Sequence, residues 1–198
     1  MKDYQYVNYL WNEKHADDLK DDQVKLFLYR SNILGADLRI TNYGGGNTSC
    51  KTIEKDPLTS EEVEVMWIKG SGGDIGTLTR SGIAGLYTER LRNLKNVYQG
   101  LEDEDRMVGL FNHCLFDLDS RAPSIDTPLH GLLPFAHIDH LHPDALIAIA
   151  AAKDGEKITQ EIWGNTMGWV DWQRPGFDLG LQLEKCLKEN PGIRGIVL

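Results

Sequence analysis

Three of the chain's six histidines, His137, His140 and His142, fall within one run of six residues. His140 and His142 are two positions apart, so on an extended strand both rings leave the same face. Two neighbouring imidazoles are half of a tetrahedral metal site, and neutral imidazole is a common ligand for divalent transition metals. The same three residues also suit a histidine-bearing surface turn. Ahead of them, Gly44-Gly45-Gly46-Asn47-Thr48-Ser49 carries three glycines that let a ligand approach the backbone closely, with Asn47 and Ser49 as side-chain donors. That stretch reads either as an anion cradle or as a tight turn. Its glycine spacing is not the dinucleotide fingerprint, and it lacks the phosphate-loop lysine. Gly70-Ser71-Gly72-Gly73 follows an apolar run and could add amide donors for the same anion. Pro123-Ser124-Ile125-Asp126 offers a carboxylate for proton transfer near a metal, or a turn-capping Asp. A metal and an anion cradle together describe a site for a phosphorylated substrate. Trp163, Trp169 and Trp172 lie within ten residues and read first as core or loop anchors, otherwise as a pocket lining. His15 and His113 are isolated, and His113 reads as structural.

The elements that must position these groups alternate between helix and strand. Residues 18–35 have helical spacing, with Leu19, Leu26, Phe27, Ile33 and Leu34 among charges. Residues 41–49 read as a glycine-rich loop, and 49–54 and 64–68 as strands. Asp56-Pro57-Leu58-Thr59-Ser60 between them has turn chemistry and predicts a hairpin. A second glycine-rich loop spans 69–76, and helices are expected over 79–97 and 103–116. Pro143 suits the first turn of a helix running through 145–150. A further helix spans 177–189 and a strand 192–198. This is an α/β (α+β) pattern with a covered sheet, read as a single domain over 1–198. The terminal strand ends on Leu198 with no polar tail, which predicts that the natural polypeptide continues.

Composition bounds the partners. Hydrophobic residues make up 41% and charged residues 26%, ordinary for a globular domain. The net charge of −9 and the lack of a basic run argue against nucleic-acid binding. The polar N-terminus and the absence of a long apolar run argue against a signal peptide or a membrane span. Cys50, Cys114 and Cys186 are odd in number and widely spaced, which suggests reduced thiols in a cytoplasm and no thiolate zinc site.

In order, Gly46-Asn47-Thr48-Ser49, Ser71-Gly72, Ser124-Ile125-Asp126 and His140-Leu141-His142 resemble the motifs of the class II aldolase/adducin family. The resemblance covers nearly the whole chain. The wording of 137–145 and 163–169 is similar to the aldolase half of bifunctional rhamnulose-1-phosphate aldolase/dehydrogenase proteins. It implies a three-layer α/β/α fold and a homo-oligomeric, metal-dependent aldolase, with zinc the expected ion. Such an enzyme cleaves a ketose 1-phosphate, such as rhamnulose 1-phosphate, to dihydroxyacetone phosphate and an aldehyde. The resemblance assigns metal binding to His140 and His142 and proton transfer to Asp126. It assigns the substrate phosphate to Gly46, Asn47, Ser49, Ser71, Gly72 and Ser124. An epimerase or dehydratase on the same scaffold, or an adducin-like assembly module, are the alternatives. Three departures stand out. Asp126 replaces the family's acid–base Glu, and Ile125 replaces a phosphate-binding Ser. The family's third metal histidine follows a strand like 195–198, so the two histidines here are expected to hold a metal weakly. His137 or Asp139 would be the substitute ligand, and Asp139 the next acid–base group after Asp126.

Overall fold

The computed structural model describes residues 8–42 and 44–198. The polar N-terminal stretch noted above lies mostly outside them. The central sheet has four antiparallel strands in the order β3-β2-β1-β4: β1 Asn47–Lys55, β2 Glu62–Lys69, β3 Ile83–Tyr87 and β4 His137–His140. The expected hairpin joins β1 to β2, paired from Ser49↔Ile68 to Lys55↔Glu62. Its turn is built as the sequence suggests: the Asp56 carboxylate accepts from the N–H groups of Leu58 and Thr59. β1 begins at Asn47, so Asn47 and Ser49, read as loop, are strand residues with alternating partners.

Alternation along β2 sets the two faces of the core. Val65 and Trp67 pack with Phe27 and Leu78 beneath helix α2 (Gln23–Gly35). Met66 and Ile68 pack on the opposite face with Leu91, Met107, Phe111 and Phe177. These come from α3 (Thr88–Asn93), α4 (Glu104–Leu110), the 3₁₀ turn after it, and α8 (Phe177–Glu189). Helices thus cover both sides of the sheet, in three layers. Glu104, buried at 4% exposure, caps the start of α8 by accepting from the N–H groups of Phe177 and Asp178.

Several elements differ from the sequence-based expectation. The helix expected over 18–35 is α2 alone and starts at Gln23, because Asp22 caps it by accepting from the Lys25 N–H; a separate short helix, α1 (Glu13–Asp18), precedes it. The helix expected over 79–97 contains strand β3. Ile83 to Tyr87 pairs with β2, and Gly85 lies so close to Trp67 that a methyl group there would come within 2.5 Å of the indole. The 103–116 helix ends as a 3₁₀ turn at Phe111–Cys114. Three short elements complete the site side: α5 (Thr127–Gly131), α6 (Asp144–Ala150) and α7 (Gly155–Trp163). The terminal strand is short, β6 (Gly195–Val197), and pairs in parallel with β5 (Met167–Trp169). Leu129 and Leu133, on and just after α5, join Leu179 and Leu183 of α8 in a third apolar cluster that also touches Ile138 of β4.

Candidate functional site

β4 pairs with β1 at Asn47↔His140, Thr48↔Asp139, Ser49↔Ile138 and Cys50↔His137. Residues directly opposite share a face, so His140 lies on the side of Asn47 and Ser49, while Asp139 and His137 take the α2 side. The α2 helix fixes this choice. Its Arg30 guanidinium lies 3.1 Å from the Asp139 carboxylate and donates to the Ser49 carbonyl at 2.7 Å. Burial nevertheless raises the Asp139 pKa, with Arg30 opposing. Asp139 and His137 are therefore not beside the other two histidines, which corrects the expectation of either as a substitute ligand or acid–base group.

His140 closes β4 and His142 follows two residues later, just before Pro143, which precedes α6. Their Nε2 atoms stand 3.1 Å apart. Two nitrogens on one tetrahedral zinc, at Zn–N of about 2.0–2.1 Å, lie about 3.3 Å apart, so the pair is spaced as two donors to one ion. Burial lowers the His140 pKa; the Asp126 carboxylate opposes this, and His142 and Lys69 reinforce it. The neutral, ligating form of this imidazole is thereby favoured. Its Nδ1 is buried without a partner. Among the described residues, no group of three or more His, Cys, Asp or Glu side chains is arranged to hold an ion. The pair could supply two of the four ligands of a tetrahedral site.

The glycines of the first loop serve this corner by closeness. A methyl group at Gly46 (φ 76°) would lie 2.6 Å from the His140 carbonyl oxygen, and one at Gly45 would lie 2.8 Å from Nδ1 of His142. Asn47 follows, fully buried, and neither Oδ1 nor Nδ2 finds a hydrogen-bond partner. Such a group is uncommon in a folded interior, and this amide is available to hydrogen-bond a ligand. Ser49 differs: its hydroxyl is 2.8 Å from Nδ1 of His130 and 1% exposed. It is committed to that ring. His130, on α5, is fully buried; burial holds its pKa well below the ordinary value, reinforced by His140, Lys51 and Arg30. Nothing in the apolar run around His130 marks it in sequence.

The second loop is laced to the segment that carries the carboxylate. Gly70 bridges Pro123, and the Ser71 N–H donates to the Ala122 carbonyl at 3.0 Å. This brings Ser71 and Gly72 next to Ser124 and Asp126. The Ser124 hydroxyl donates to the Asp126 carboxylate at 3.3 Å and accepts from the Asp126 N–H at 3.2 Å. The β1–β2 register, continued two residues past its last pair, sets Asn47 across from Gly70. Asn47 thus stands between the histidine strand on one side and the second loop on the other. The pairing of β4 with β1 and of the second loop with the 122–126 segment places His140, His142, Asp126, Gly46, Asn47, Ser71, Gly72 and Ser124 at one end of the sheet; Ser49 is turned to His130 instead. On the outer side of β4 a cavity of about 950 Å³ opens toward α8 and β6. It is lined mainly by apolar side chains such as Leu133, Leu146 and Leu183, with His130, His137, Asp139, His140 and His142 also bordering it. Trp172 also lines it and is largely exposed, so it is not a core anchor.

This geometry agrees with what the chain is similar to. Residues 28–198 match the family described as class II aldolase and adducin N-terminal domain. A protein of Bacillus subtilis (strain 168), YuxG, named as an uncharacterized oxidoreductase, is 40% identical over 185 residues, 93% of this chain. Those residues are 26% of that protein, so the chain spans about a quarter of its relative's length. The N-terminal class II aldolase domain of a conserved protein from Thermoplasma acidophilum superposes with a TM-score of 0.80 at 26% identity, covering 100% of this chain and 85% of that one. The sugar-phosphate aldolase of Thermotoga maritima shares the fold with a TM-score of 0.56 at 14% identity, over 86% of this chain and 79% of that one. The sequence match over most of the chain, together with the histidine pair and the laced loops, shows that the chain belongs to the class II aldolase and adducin family.

Proposed function

We propose that the protein is a divalent-metal-dependent aldolase that cleaves a ketose 1-phosphate, of which rhamnulose 1-phosphate is the leading case, to dihydroxyacetone phosphate and an aldehyde. One observation carries the reading. Two histidine nitrogens spaced for one ion stand beside a carboxylate and a buried, unpartnered Asn47 amide at the same end of the sheet. When bound, a divalent ion held by His140 and His142, with zinc the expected metal, supplies Lewis acidity toward the substrate's oxygens. Asn47, Ser71, Gly72 and Ser124 bind and orient the phosphate, which fixes the reacting carbons against Asp126. Gly46 keeps the loop close to His140. Ser49 acts through His130, holding the β1 end of the site in place. The Asp126 carboxylate takes the proton of the hydroxyl that becomes the aldehyde oxygen, the carbon–carbon bond joining that carbon to the ketone-bearing fragment breaks, and the electron pair stays on the ketone-bearing fragment. The Asp126 carboxyl then returns the proton to that fragment's carbon, and in the reverse direction removes it.

The relative named as an oxidoreductase is about four times as long as the matched region, which supports the reading of this chain as the aldolase part of a bifunctional aldolase/dehydrogenase. We extend the proposal to a cytoplasmic homo-oligomer; no described helix is long and apolar enough to cross a membrane. The test is release of dihydroxyacetone phosphate from rhamnulose 1-phosphate by zinc-supplied protein, followed through a coupled NADH-consuming reductase. Asp126→Asn should lower turnover by roughly 10²–10⁴-fold while changing substrate affinity little. Isomerised sugar phosphate without dihydroxyacetone phosphate would replace the reading with an epimerase. No turnover of any ketose 1-phosphate, with stable self-assembly, would replace it with an adducin-like module.

A further inference from the structure

We propose that Lys69 and Arg121, which converge on the 70–73 loop, are the charge-neutralising residues for the substrate's phosphate. The inference rests on the phosphorylated-substrate reading above and adds two residues to it. It begins with a shortage of amides. The N–H of Gly70 donates to Gly82 and that of Ser71 to Ala122, so half of the loop's donors are already used. The N–H groups of Gly72 and Gly73, both at positive φ and both exposed, have no hydrogen-bond partner among the described residues. Two free loop amides, with the Asn47 amide and the Ser71 and Ser124 hydroxyls, bring no formal charge to a phosphate carrying about −1.5 to −2 charges at neutral pH. The remaining positive charge must come from side chains.

Two side chains are in place to supply it. The Arg121 stem lies across Gly70: a methyl group there would meet its Cβ and Cγ at 2.9 Å each. Its guanidinium lies by Gly72, with one terminal nitrogen 3.4 Å from where a methyl group would stand. Arg121 is exposed and has no hydrogen bond or carboxylate partner among the described residues. Lys69, the last residue of β2, is 4% exposed. Its ammonium makes one long bond, 3.3 Å, to the Gly72 carbonyl. Burial lowers its pKa; Asp126 and Asp74 oppose this, and Arg121 reinforces it. Lys69 and Arg121 thus both reach Gly72, with no carboxylate in ion-pair contact with either among the described residues, in a chain of net charge −9. A dianion between them would relieve their repulsion and give each a partner. The Gly70–Pro123 bridge holds Arg121 and Ser124 on the same side of the loop.

The test is binding of inorganic phosphate by calorimetry to the wild type, Arg121→Gln, Arg121→Lys and Lys69→Met, each with its ligand-free melting curve. Arg121→Gln and Lys69→Met should weaken phosphate binding by roughly 10–100-fold, the range for a charge-assisted hydrogen bond. Arg121→Lys should recover much of the loss, since it keeps the charge. Wild-type affinity should fall with added salt, and more steeply than that of Arg121→Gln. If the wild type binds phosphate and Arg121→Gln and Lys69→Met both bind it equally well, the two cations are not the phosphate partners and the proposal fails, while the aldolase reading stands. If the wild type binds neither phosphate nor a ketose 1-phosphate, both fail. If Lys69→Met does not fold, the Arg121 pair decides.

Discussion

Replacing Asn47 by Leu separates what the site needs from what the fold needs. Asn47 is fully buried, opens β1 opposite His140, and leaves both side-chain amide atoms unpartnered. A buried polar group without a hydrogen bond costs about 1–3 kcal/mol. Leu has nearly the same shape and no polar atoms, so the substitution removes that cost without opening a cavity. The ligand-free variant should therefore be more stable than the wild type by about 2 kcal/mol. For a chain of this size that raises the melting midpoint by about 4–8 °C, at 2–4 °C per kcal/mol. The order should reverse with ligand. A phosphorylated ketose at about 100 times its Kd stabilises the wild type by about 2.7 kcal/mol, and the variant, lacking the amide, should gain almost nothing. Urea and thermal melts with and without ligand read both effects. A loss of about 2 kcal/mol or more in the ligand-free variant would mean that the amide serves the fold. Undiminished ligand protection would remove Asn47 from the site.

The parts of the site that lie close in sequence were legible there; those joined across the fold were not. The two-residue spacing of His140 and His142 implied a shared face on one strand; their nitrogens do meet, although β4 ends at His140 and His142 lies in the turn before α6. Which face became the site is decided by Arg30, more than a hundred residues earlier, through its pairing with Asp139. No local pattern carries that information. Strand β3 was hidden because Ile83, Leu86, Leu91 and Leu94 also satisfy helical spacing; pairing with β2 overrides the local preference. Helix α5 was hidden for the opposite reason. All five of its residues are buried, so it has no polar face to give a period, and His130 went unnoticed within it. Lys69 and Arg121 meet only because Gly70 bridges Pro123.

Lys51 tests the site side of β1 by titration. Burial, reinforced by Arg92, lowers its pKa from the ordinary 10.5 to about 8, so the fold carries a penalty for its charge below pH 8 that is relieved as pH rises from about 8 to 10.5. Lys51→Met should be more stable than the wild type at pH 7, by about 1–2 kcal/mol once partial exposure and the lost bond to the Leu133 carbonyl are allowed for, and the gap should close by pH 10.5; a gap that widens with pH would show that the charge is stabilised in the fold. The last prediction concerns the metal. His142→Ala removes one of two nitrogens spaced for a single ion. Losing even a residue that only supports a ligand typically costs 10–100-fold in metal affinity, so removing a ligand should cost more than about 100-fold. His137→Ala is the matched control: it opens β4, five residues before His142, and faces the α2 side, opposite Cys50. Zinc competition against a chromogenic chelator should therefore show a large loss for His142→Ala and little for His137→Ala. Equal losses in the two would mean that the ion does not depend on the face chosen by Arg30 and Asp139, and the site built on that face would have to be given up.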